Sequence, residues 1–452
     1  MTVFYFVLGV LAMVVGIGAS IALHEIGHLL PAKKFGVKCS QYMIGFGPTI
    51  WSTRRGETEY GVKAIPLGGY VRMLGMFPPK SERKVDAKAR SGRLSAMIED
   101  ARTDSLAEIG PGEEHRAFYR LSTPQKITVM LGGPLMNLLL AALVLAGVVV
   151  VNGVPAPGAQ VGTVSQCVRP VTAQADTSPC TAADTPSPAA AAGIRPGDVI
   201  VSIDGERVEA PEDVASIVRP HAGEPVSMVV QRDGQPVSLN VTPIANSVPE
   251  LDSLGRAVTD ANGRIVTTTA GFIGTTTGRS PEQDHSITRT PGLLWDMTSR
   301  TARVVLTLPQ RMVDVWNAAF GPAERDAEGP MSVVGVGRVA GEVSSGTWET
   351  RDGTVLTMDV GQRVILLWTL LAGLNIALFV FNLIPLLPLD GGHIAGATWE
   401  GIKRTFARIT RRPDPGYVDV AKALPVAYVM SILLIGMSVL LIYADIVKPV
   451  RL

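Results

Sequence analysis

Two histidines and a glutamate form the most chemically informative group in this sequence. Residues 24–28 read HEIGH, so His24 and His28 are four positions apart and would share one face of a helix. Imidazoles at this spacing bind one Zn²⁺, and Glu25 is placed to take a proton from a metal-activated water. The pattern is short and also arises by chance in helices. A catalytic zinc normally has a third protein ligand, which the sequence must supply elsewhere.

The third ligand is best sought at the end of a later apolar run. The chain has six histidines, and His115, His221 and His285 fall in loops or in the predicted extracytoplasmic part. Asp390 ends the run NLIPLLPLD, which starts at residue 382, and is the preferred candidate. His393 is a second candidate, ranked lower because it lies three residues further on, beyond a Gly-Gly turn.

Both candidate groups sit in or beside segments long enough to cross a membrane. Four uncharged runs of about 20 residues or more match a hydrocarbon core of about 30 Å. They cover residues 3–23, 127–151, 364–389 and 424–443. Their length argues against buried core helices, and the first lacks the basic start of a signal peptide. Ionisable groups inside a membrane are costly, so His24, Glu25, His28 and Asp390 favour a functional site with a charge-pairing zinc ion.

Charge asymmetry predicts the orientation of the spans. Residues 31–126 carry 17 Lys+Arg against 10 Asp+Glu, whereas 152–363 carry 16 Arg, no Lys and 24 Asp+Glu. Six lysines flank the spans on the same side, which the positive-inside rule assigns to the cytosol: Lys33, Lys34, Lys38, Lys126, Lys403 and Lys422. We therefore expect both termini outside and the HEIGH motif near the cytosolic side. This topology places Asp390 at the same depth as the histidines. No basic-aromatic tract indicates nucleic acid.

The second span begins with LGGPLMN. Gly132, Gly133 and other small residues allow close contact with another helix, and Asn137 needs a polar partner inside a membrane. Two interpretations stand for Asn137, packing between helices and support of the catalytic site.

Among three cysteines, Cys167 and Cys180 fall in the extracytoplasmic part. A disulfide between these two cysteines would close a loop there and would take no part in catalysis.

Outside the spans the sequence predicts β structure in two places. Runs with turn glycines after the first span predict hairpins, followed by a polar insertion at 79–114 that is flexible or weakly helical. Residues from about 160 to 243 predict a mixed α/β module with tight turns at Asp204-Gly205 and Asp233-Gly234. Its SPAAAAGIRPGDVIVSIDG stretch resembles the PDZ domains of bacterial proteases. Residues 291–320 have helical spacing, broken near Pro309, which predicts amphipathic helices on the outer membrane surface.

These motifs together resemble the site-2 protease family of intramembrane zinc metalloproteases, in particular its RseP-like, actinobacterial type. The similarity rests on HEIGH, on GFG and PLGGYV after the first span, on NLIPLLPLDG and on the PDZ-like module. The insertion at 79–114 and the Cys-bearing stretch at 166–190 are not part of the family pattern. The resemblance implies zinc ligands at His24, His28 and Asp390 and a general base at Glu25.

The resemblance also implies a substrate site. Asn382 and Pro385 match the family's Asn-x-x-Pro and would border the substrate, and the hairpin around Gly45 and Gly47 would pair with it. The expected substrates are single-span membrane proteins, such as anti-sigma factors, already shortened by a site-1-type protease. The PDZ module would act as a peptide reader or as a size filter. Two alternatives are an inactive membrane scaffold that binds peptides through its PDZ domain and a zinc transporter, which would need polar residues along several spans.

The predicted fold is a multi-pass α-helical protein of the cell membrane, with about four transmembrane helices. A membrane-associated β-hairpin region and an extracytoplasmic α/β PDZ domain complete it, in contact with the lipid bilayer. The predicted boundaries are 1–30 (first transmembrane helix), 31–126 (cytosolic or membrane-dipping β region with insertion), 127–151 (second transmembrane helix), 152–245 (PDZ domain), 246–363 (extracytoplasmic linker and amphipathic helices), 364–390 (third transmembrane helix), 391–423 (cytosolic segment) and 424–447 (fourth transmembrane helix).

Overall fold

The computed structural model describes most of the chain. The described residues are 2–79, 98–100, 103, 105, 109–168, 180–181, 184–250, 258, 265–322, 325–326, 329–349 and 355–450. The predicted insertion at 79–114 therefore lies largely outside the described residues, as does much of the stretch at 166–190. The chain forms two compact units, one of Met1–Val148 with Thr290–Leu452 and one of Val149–Arg289.

Helices dominate the first unit. In chain order, the helices of the described residues are α1 (Thr2–Lys34), α2 (Thr123–Asn152), α3 (Pro188–Ala191), α4 (Pro211–Val218), α5 (Thr290–Leu306), α6 (Leu308–Phe320), α7 (Val333–Ser345), α8 (Val360–Asn382), α9 (Asp390–Ile409) and α10 (Leu424–Val447). Of these, α3 and α4 belong to the second unit. Of the described helices, α1, α2, α8 and α10 are long and apolar enough to cross a membrane, as the sequence predicts. The break between α5 and α6 confirms the interruption predicted near Pro309.

The third apolar helix differs from its prediction. It begins with a capping box, in which the Asp359 carboxylate accepts a hydrogen bond from the Gln362 backbone at 3.0 Å. It ends at Asn382 and does not continue to Asp390. Pro385 and Pro388 explain the early end, because each lacks a backbone N–H and disfavours helical geometry in the residue before it. The chain turns through 383–389, and Asp390 starts the new helix α9.

A β-sheet follows α1, as predicted. Strands β1 (Cys39–Arg55) and β2 (Thr58–Met73) are each bent. Met43 is partnered by both Tyr70 and Gly61, so the first half of β1 lies between two segments of β2. The bend in β1 occurs at Gly45, whose φ of +89° suits glycine. A β-carbon at that position would lie 2.6 Å from the Ile65 carbonyl oxygen.

The core of the first unit joins the sheet to the helices that carry the candidate ligands. Buried residues from α1, the sheet and α2 form one apolar cluster, with Leu29, Tyr42, Met73, Val129 and Met130 among its members. Deeper along α1, buried Ser20 accepts a hydrogen bond of 3.0 Å from the Asn375 amide on α8. These contacts fix the registers of α1, α2 and α8 around one region.

The second unit is built on a sheet with helices α3 and α4. Its strands are β3 (Val154–Pro155), β4 (Ala159–Val164), β5 (Cys167–Val168), β6 (Thr185–Pro186), β7 (Val199–Ile203), β8 (Glu206–Arg207), β9 (Val226–Arg232), β10 (Gln235–Val241), β11 (Ile244–Pro249), β12 (Thr267–Phe272), β13 (Thr275–Arg279) and β14 (Gln283–Asp284). The main sheet has the order β10-β9-β7-β4-β13, with β8 paired to β7. Both predicted tight turns are confirmed, at β7–β8 and at β9–β10. Cys167 and Cys180 form the disulfide that the sequence suggested.

A further short hairpin joins β15 (Thr347–Glu349) and β16 (Val355–Thr357) in the first unit.

Candidate metal centre

Three of the predicted ligands converge at one point. The Nε2 atoms of His24 and His28, on successive turns of α1, are 3.2 Å apart. The Asp390 Oδ2 atom, at the start of α9, lies 3.4 Å from each of them. Among the residues that the structure describes, this is the group of His, Cys, Asp and Glu side chains that is suited to hold a metal ion. His24 and Asp390 are partly buried and His28 is buried.

The arrangement fits zinc. Two donor atoms bound tetrahedrally to Zn²⁺ at 2.0–2.2 Å are about 3.3–3.6 Å apart, close to the three observed separations of 3.2–3.4 Å. The Asp390 Oδ2 atom is buried and has no hydrogen-bond partner in the part of the chain that the structure describes. A buried carboxylate oxygen without a hydrogen bond is unfavourable unless a cation compensates it. Two imidazoles and a carboxylate leave a fourth position open for water, as in catalytic zinc sites.

Helix α2 supports both imidazoles from behind. His28 Nδ1 lies 2.8 Å from the Val129 carbonyl oxygen, which accepts its N–H and leaves Nε2 free to bind metal. The Asn137 side-chain amide lies 3.1 Å from His24 Nδ1. The atom at this distance is the amide nitrogen, and the buried Asn137 oxygen has no hydrogen-bond partner among the described residues. With Nε2 of His24 as the ligand, Nδ1 carries the hydrogen, so the Asn137 amide would be turned over to present its oxygen as the acceptor. This contact favours the interpretation of Asn137 as support for the site.

Glycines make this support possible because α1 and α2 touch backbone to backbone at the site. A β-carbon at Gly27 would lie 2.2 Å from the Gly132 carbonyl oxygen, and one at Gly133 would lie 2.2 Å from His28 Nε2. Neither separation is physically accessible to a side chain. The structure therefore confirms the predicted close helix contact and locates it at the metal site.

The side chain of Glu25 is buried beside the sheet. A β-carbon at Gly69, in β2, would lie 2.8 Å from Glu25 Cγ, so this strand forms one wall of the glutamate's pocket. Tyr42 in β1 fastens the sheet to α1, donating a hydrogen bond of 2.8 Å to the Ala22 carbonyl oxygen. Burial raises the pKa of Tyr42 to about 12, which keeps the phenol a hydrogen-bond donor at neutral pH.

Asp390 is positioned by the turn before it and by the helix after it. A β-carbon at Gly391 would lie 2.2 Å from the Ile384 carbonyl oxygen, so the turn 383–389 packs closely against the first turn of α9. Ten residues further along α9, both carboxylate oxygens of Glu400 lie 2.9 Å from the Lys126 ammonium on α2. Both side chains are almost completely buried. The pair joins the helix that carries Asp390 to the helix that supports the histidines.

The other predicted site residues lie around this group. Asn382 is the last residue of α8, and Pro385 is exposed in the turn that leads to Asp390. Gly47, like Gly45, lies in the bend of β1 with a positive φ, and its nearest neighbour is the Ile65 side chain. His393, on α9, is outside the converging group of described residues and lines a small cavity near Lys126 and Glu400.

Several supporting residues were not predicted. The Val129 carbonyl oxygen has no sequence signal, because any residue supplies one. Gly69 belongs to the noted PLGGYV motif, yet its contact with Glu25 depends on how the sheet folds back. The Lys126–Glu400 pair joins positions 274 residues apart. A lysine at the edge of an apolar run looks like an ordinary interfacial anchor.

A His pair on one apolar helix, a carboxylate from a second helix and an adjacent buried glutamate define the class of membrane zinc metallopeptidases. The family model of Peptidase family M50 matches residues 12–412, and the chain belongs to this family. Zinc metalloprotease Rip1 of Mycobacterium tuberculosis (strain H37Rv) is 33% identical over 456 residues, covering 99% of each chain. Rip1 of Mycolicibacterium smegmatis is 31% identical over 458 residues, again 99% of each chain.

A more distant relative is also a protease. The regulator of sigma-W protease RasP of Bacillus subtilis is 27% identical over 300 residues, covering 56% of this chain and 67% of the relative. These similarities confirm that the chain is a membrane metallopeptidase of the site-2 protease family and that its metal is zinc.

Proposed function

We propose that this protein cleaves single-span membrane proteins within or near their transmembrane segments. His24, His28 and Asp390 would bind the zinc ion, and Glu25 would act as the general base. The observation that carries this proposal is the convergence of three donor atoms, 3.2–3.4 Å apart, beside an apolar helix long enough to cross a membrane. A protease with its site at this place acts on a peptide presented from the membrane.

The chain's own residues have distinct parts in the reaction. The bound zinc would supply Lewis-acid activation of a water molecule and of the scissile carbonyl. Glu25 would accept a proton from the attacking water and then pass it to the leaving amine nitrogen. Val129 and Asn137 would hold the two imidazoles in the tautomer that leaves each Nε2 free. Asn382 would hold the extended peptide backbone or the developing oxyanion.

A helical substrate must unwind before it can be cut, because its scissile carbonyl is occupied by a helical hydrogen bond. Inside a membrane the freed backbone groups need new partners. The bent sheet around Gly45 and Gly47 is suited to supply them as a pairing strand, with Pro385 bordering the opposite side of the peptide. Gly69, which lies next to Glu25, brings one strand of this sheet to the reacting groups.

The substrate class and the orientation follow from the sequence and from one relative. Because RasP of Bacillus subtilis is named a regulator of sigma-W protease, we infer membrane-bound regulators such as anti-sigma factors as substrates, first shortened by another protease. Both termini and residues 152–245 would be extracytoplasmic, with the metal centre near the cytosolic side. Residues 152–245 would form a PDZ domain that reads or filters the shortened substrate.

Two substitutions test the proposal with the purified protein in liposomes and a model single-span substrate. Glu25→Gln keeps the shape of the side chain and removes its basicity, so we expect full zinc content and loss of cleavage. Asp390→Ala removes a ligand, and we expect lower zinc content. Continued cleavage by Glu25→Gln would refute the assignment of the base. Unchanged zinc in Asp390→Ala would redirect the third ligand to His393. Peptide binding by 152–245 without any cleavage by the unmodified protein would favour the scaffold alternative.

A further inference from the structure

Helix α9 has two faces of opposite character, although it lies outside the four apolar helices. One face is packed against the first unit and includes buried Ala397, Glu400 and Ala407. The other face is open. Its apolar side chains follow helical spacing and are more than half exposed, at 53% for Trp399, 54% for Ile402, 58% for Phe406 and 75% for Ile409.

These four side chains form one continuous stripe. At 100° per residue they fall within an arc of about 80°. Large apolar side chains grouped in this way on an exposed surface indicate a partner, whereas single exposed ones do not. The stripe is therefore an interaction surface. We refer to Trp399, Ile402, Phe406 and Ile409 as the α9 stripe.

Positive charge borders the α9 stripe. Lys403 is exposed on the helix about 40° from the stripe, and Arg411 and Arg412 are exposed in the turn that follows the helix. Arg408 is also exposed, but it lies about 100° from the nearest residue of the stripe. The Lys403 ammonium lies 5.5 Å from the centre of the Trp399 ring, at the edge of the stripe. Of the two acidic residues of α9, Asp390 starts the helix at the metal centre, and Glu400 is buried on the opposite face and paired with Lys126. The open face thus combines apolar side chains with cations, which complements a surface of acyl chains and anionic headgroups.

The connections of α9 hold it close to a membrane surface. Seven residues separate its start at Asp390 from the end of the apolar helix α8. After α9 the chain reaches the apolar helix α10 at Leu424. Both neighbours in the chain can cross a bilayer, so α9 is attached at each end to a segment that enters the lipid from the same side.

We propose that α9 docks on the bilayer surface, with the α9 stripe inserted among lipid tails and its cations bound to anionic phospholipid headgroups. The occupant of this surface is the lipid leaflet. Because Asp390 is the first residue of α9, docking holds a zinc ligand in place from the lipid side. The Lys126–Glu400 pair holds the same helix from the protein side.

A fluorescent label tests the docking of α9 in the full-length protein, in nanodiscs that each hold one protein molecule. Ile402→Cys places an environment-sensitive label on the α9 stripe. Burial raises the pKa of the Cys39 thiol to about 11, so this cysteine stays unlabelled at neutral pH. Cys167 and Cys180 are bridged. A label at exposed Asp414→Cys, in the segment after α9, is the matched control.

In discs that contain phosphatidylglycerol, we expect the label at 402 to be quenched by acyl-brominated lipids and shielded from iodide. We expect the label at 414 to stay open to iodide. Arg411→Gln with Arg412→Gln should lower the docking constant, read from the quenched fraction, by about fivefold for each charge removed. Arg300→Gln, a change at an exposed arginine on α5, should leave the constant unaltered.

Three results would overturn the proposal. The first is a label at 402 that iodide reaches equally in phosphatidylcholine and phosphatidylglycerol discs. The second is equal shielding in both lipids with no effect of the arginine changes, which would remove the anionic headgroup as the ligand. The third is shielding only in discs with two copies, which would assign the α9 stripe to a second chain. None of these measurements depends on peptide cleavage, so the result is independent of the proposed function.

Discussion

Replacing Gly133 with alanine tests how closely α2 supports the metal centre. The added β-carbon would lie 2.2 Å from His28 Nε2 and 2.8 Å from His24 Cε1. Ordinary contacts begin at about 3.4 Å, so the imidazole of His28 has to move by about 1.2 Å. Zinc ligands tolerate deviations of about 0.2 Å. The substitution therefore removes or distorts one ligand. We expect zinc affinity to fall at least about 100-fold, the upper range for losing a supporting contact.

The assay is zinc content against a chelator-buffered zinc series, measured on purified protein in one detergent. Gly147→Ala is the matched control, because it makes the same change in the same helix where the nearest atom is 3.8 Å away. Both changes favour the helix by about 1 kcal/mol, so a general effect on α2 would appear in both variants. Equal zinc affinity in the two variants would refute the close approach of Gly133 to the His28 and His24 imidazoles.

Three further predictions address other contacts. Asn137→Ala should weaken zinc binding about 10- to 100-fold in the same assay, whereas Asn137→Asp, which keeps an acceptor, should weaken it less. Lys126→Met should lower the free energy of unfolding in detergent by about 1–3 kcal/mol, because the buried carboxylate of Glu400 loses the Lys126 ammonium and keeps Arg404, at 3.1 Å, and the Val418 N–H; adding Glu400→Leu should restore part of the loss, and a deeper loss in the double variant would contradict the pairing. Burial opposes ionisation of Asp198, but hydrogen bonds from Arg232 outweigh it and lower the pKa of Asp198. Because the pKa of Asp198 is lower in the folded state, its ionised carboxylate stabilises the fold above the unfolded-state pKa of about 3.9. This contribution to stability is lost as pH falls through the folded-state pKa. The protection factors of the amides in β7 and β9, which are exchange rates corrected for the intrinsic slowing of exchange in acid, should therefore fall below about pH 4 in the natural chain. Asp198→Asn should show a weaker pH dependence.

The convergence of His24, His28 and Asp390 could be predicted from the sequence because its signals are local. His24 and His28 are four residues apart on a helix, and Asp390 ends an apolar run next to a Gly-Gly pair. The end of the third helix was predicted wrongly, since an uncharged run of 26 residues looks like one span. The two prolines at 385 and 388 are what divide it into a helix and a turn.

The supporting contacts could not be predicted because they join distant segments. Gly69 touches Glu25 only because β2 folds back along β1, and a one-residue shift in that register would place a different residue there. Lys126 and Glu400 meet only after α9 has docked on α2. Periodicity and motif spacing describe single elements, so they carry no information about such pairings.

The three proposed ligands differ in how firmly the fold holds them. His24 and His28 belong to one continuous helix, so their separation is set by helical geometry and by the contact with α2. Asp390 belongs to another helix and follows a turn, so its position depends on where α9 lies. Lys126 and Glu400 fix α9 ten residues away from the ligand, at a distance of about 15 Å along the helix. A small tilt of α9 about that anchor therefore moves Asp390 and leaves the histidines in place. It follows that Lys126→Met should lower zinc affinity in the chelator-buffered series, while the hydrogen bond between His28 and the Val129 carbonyl oxygen is kept.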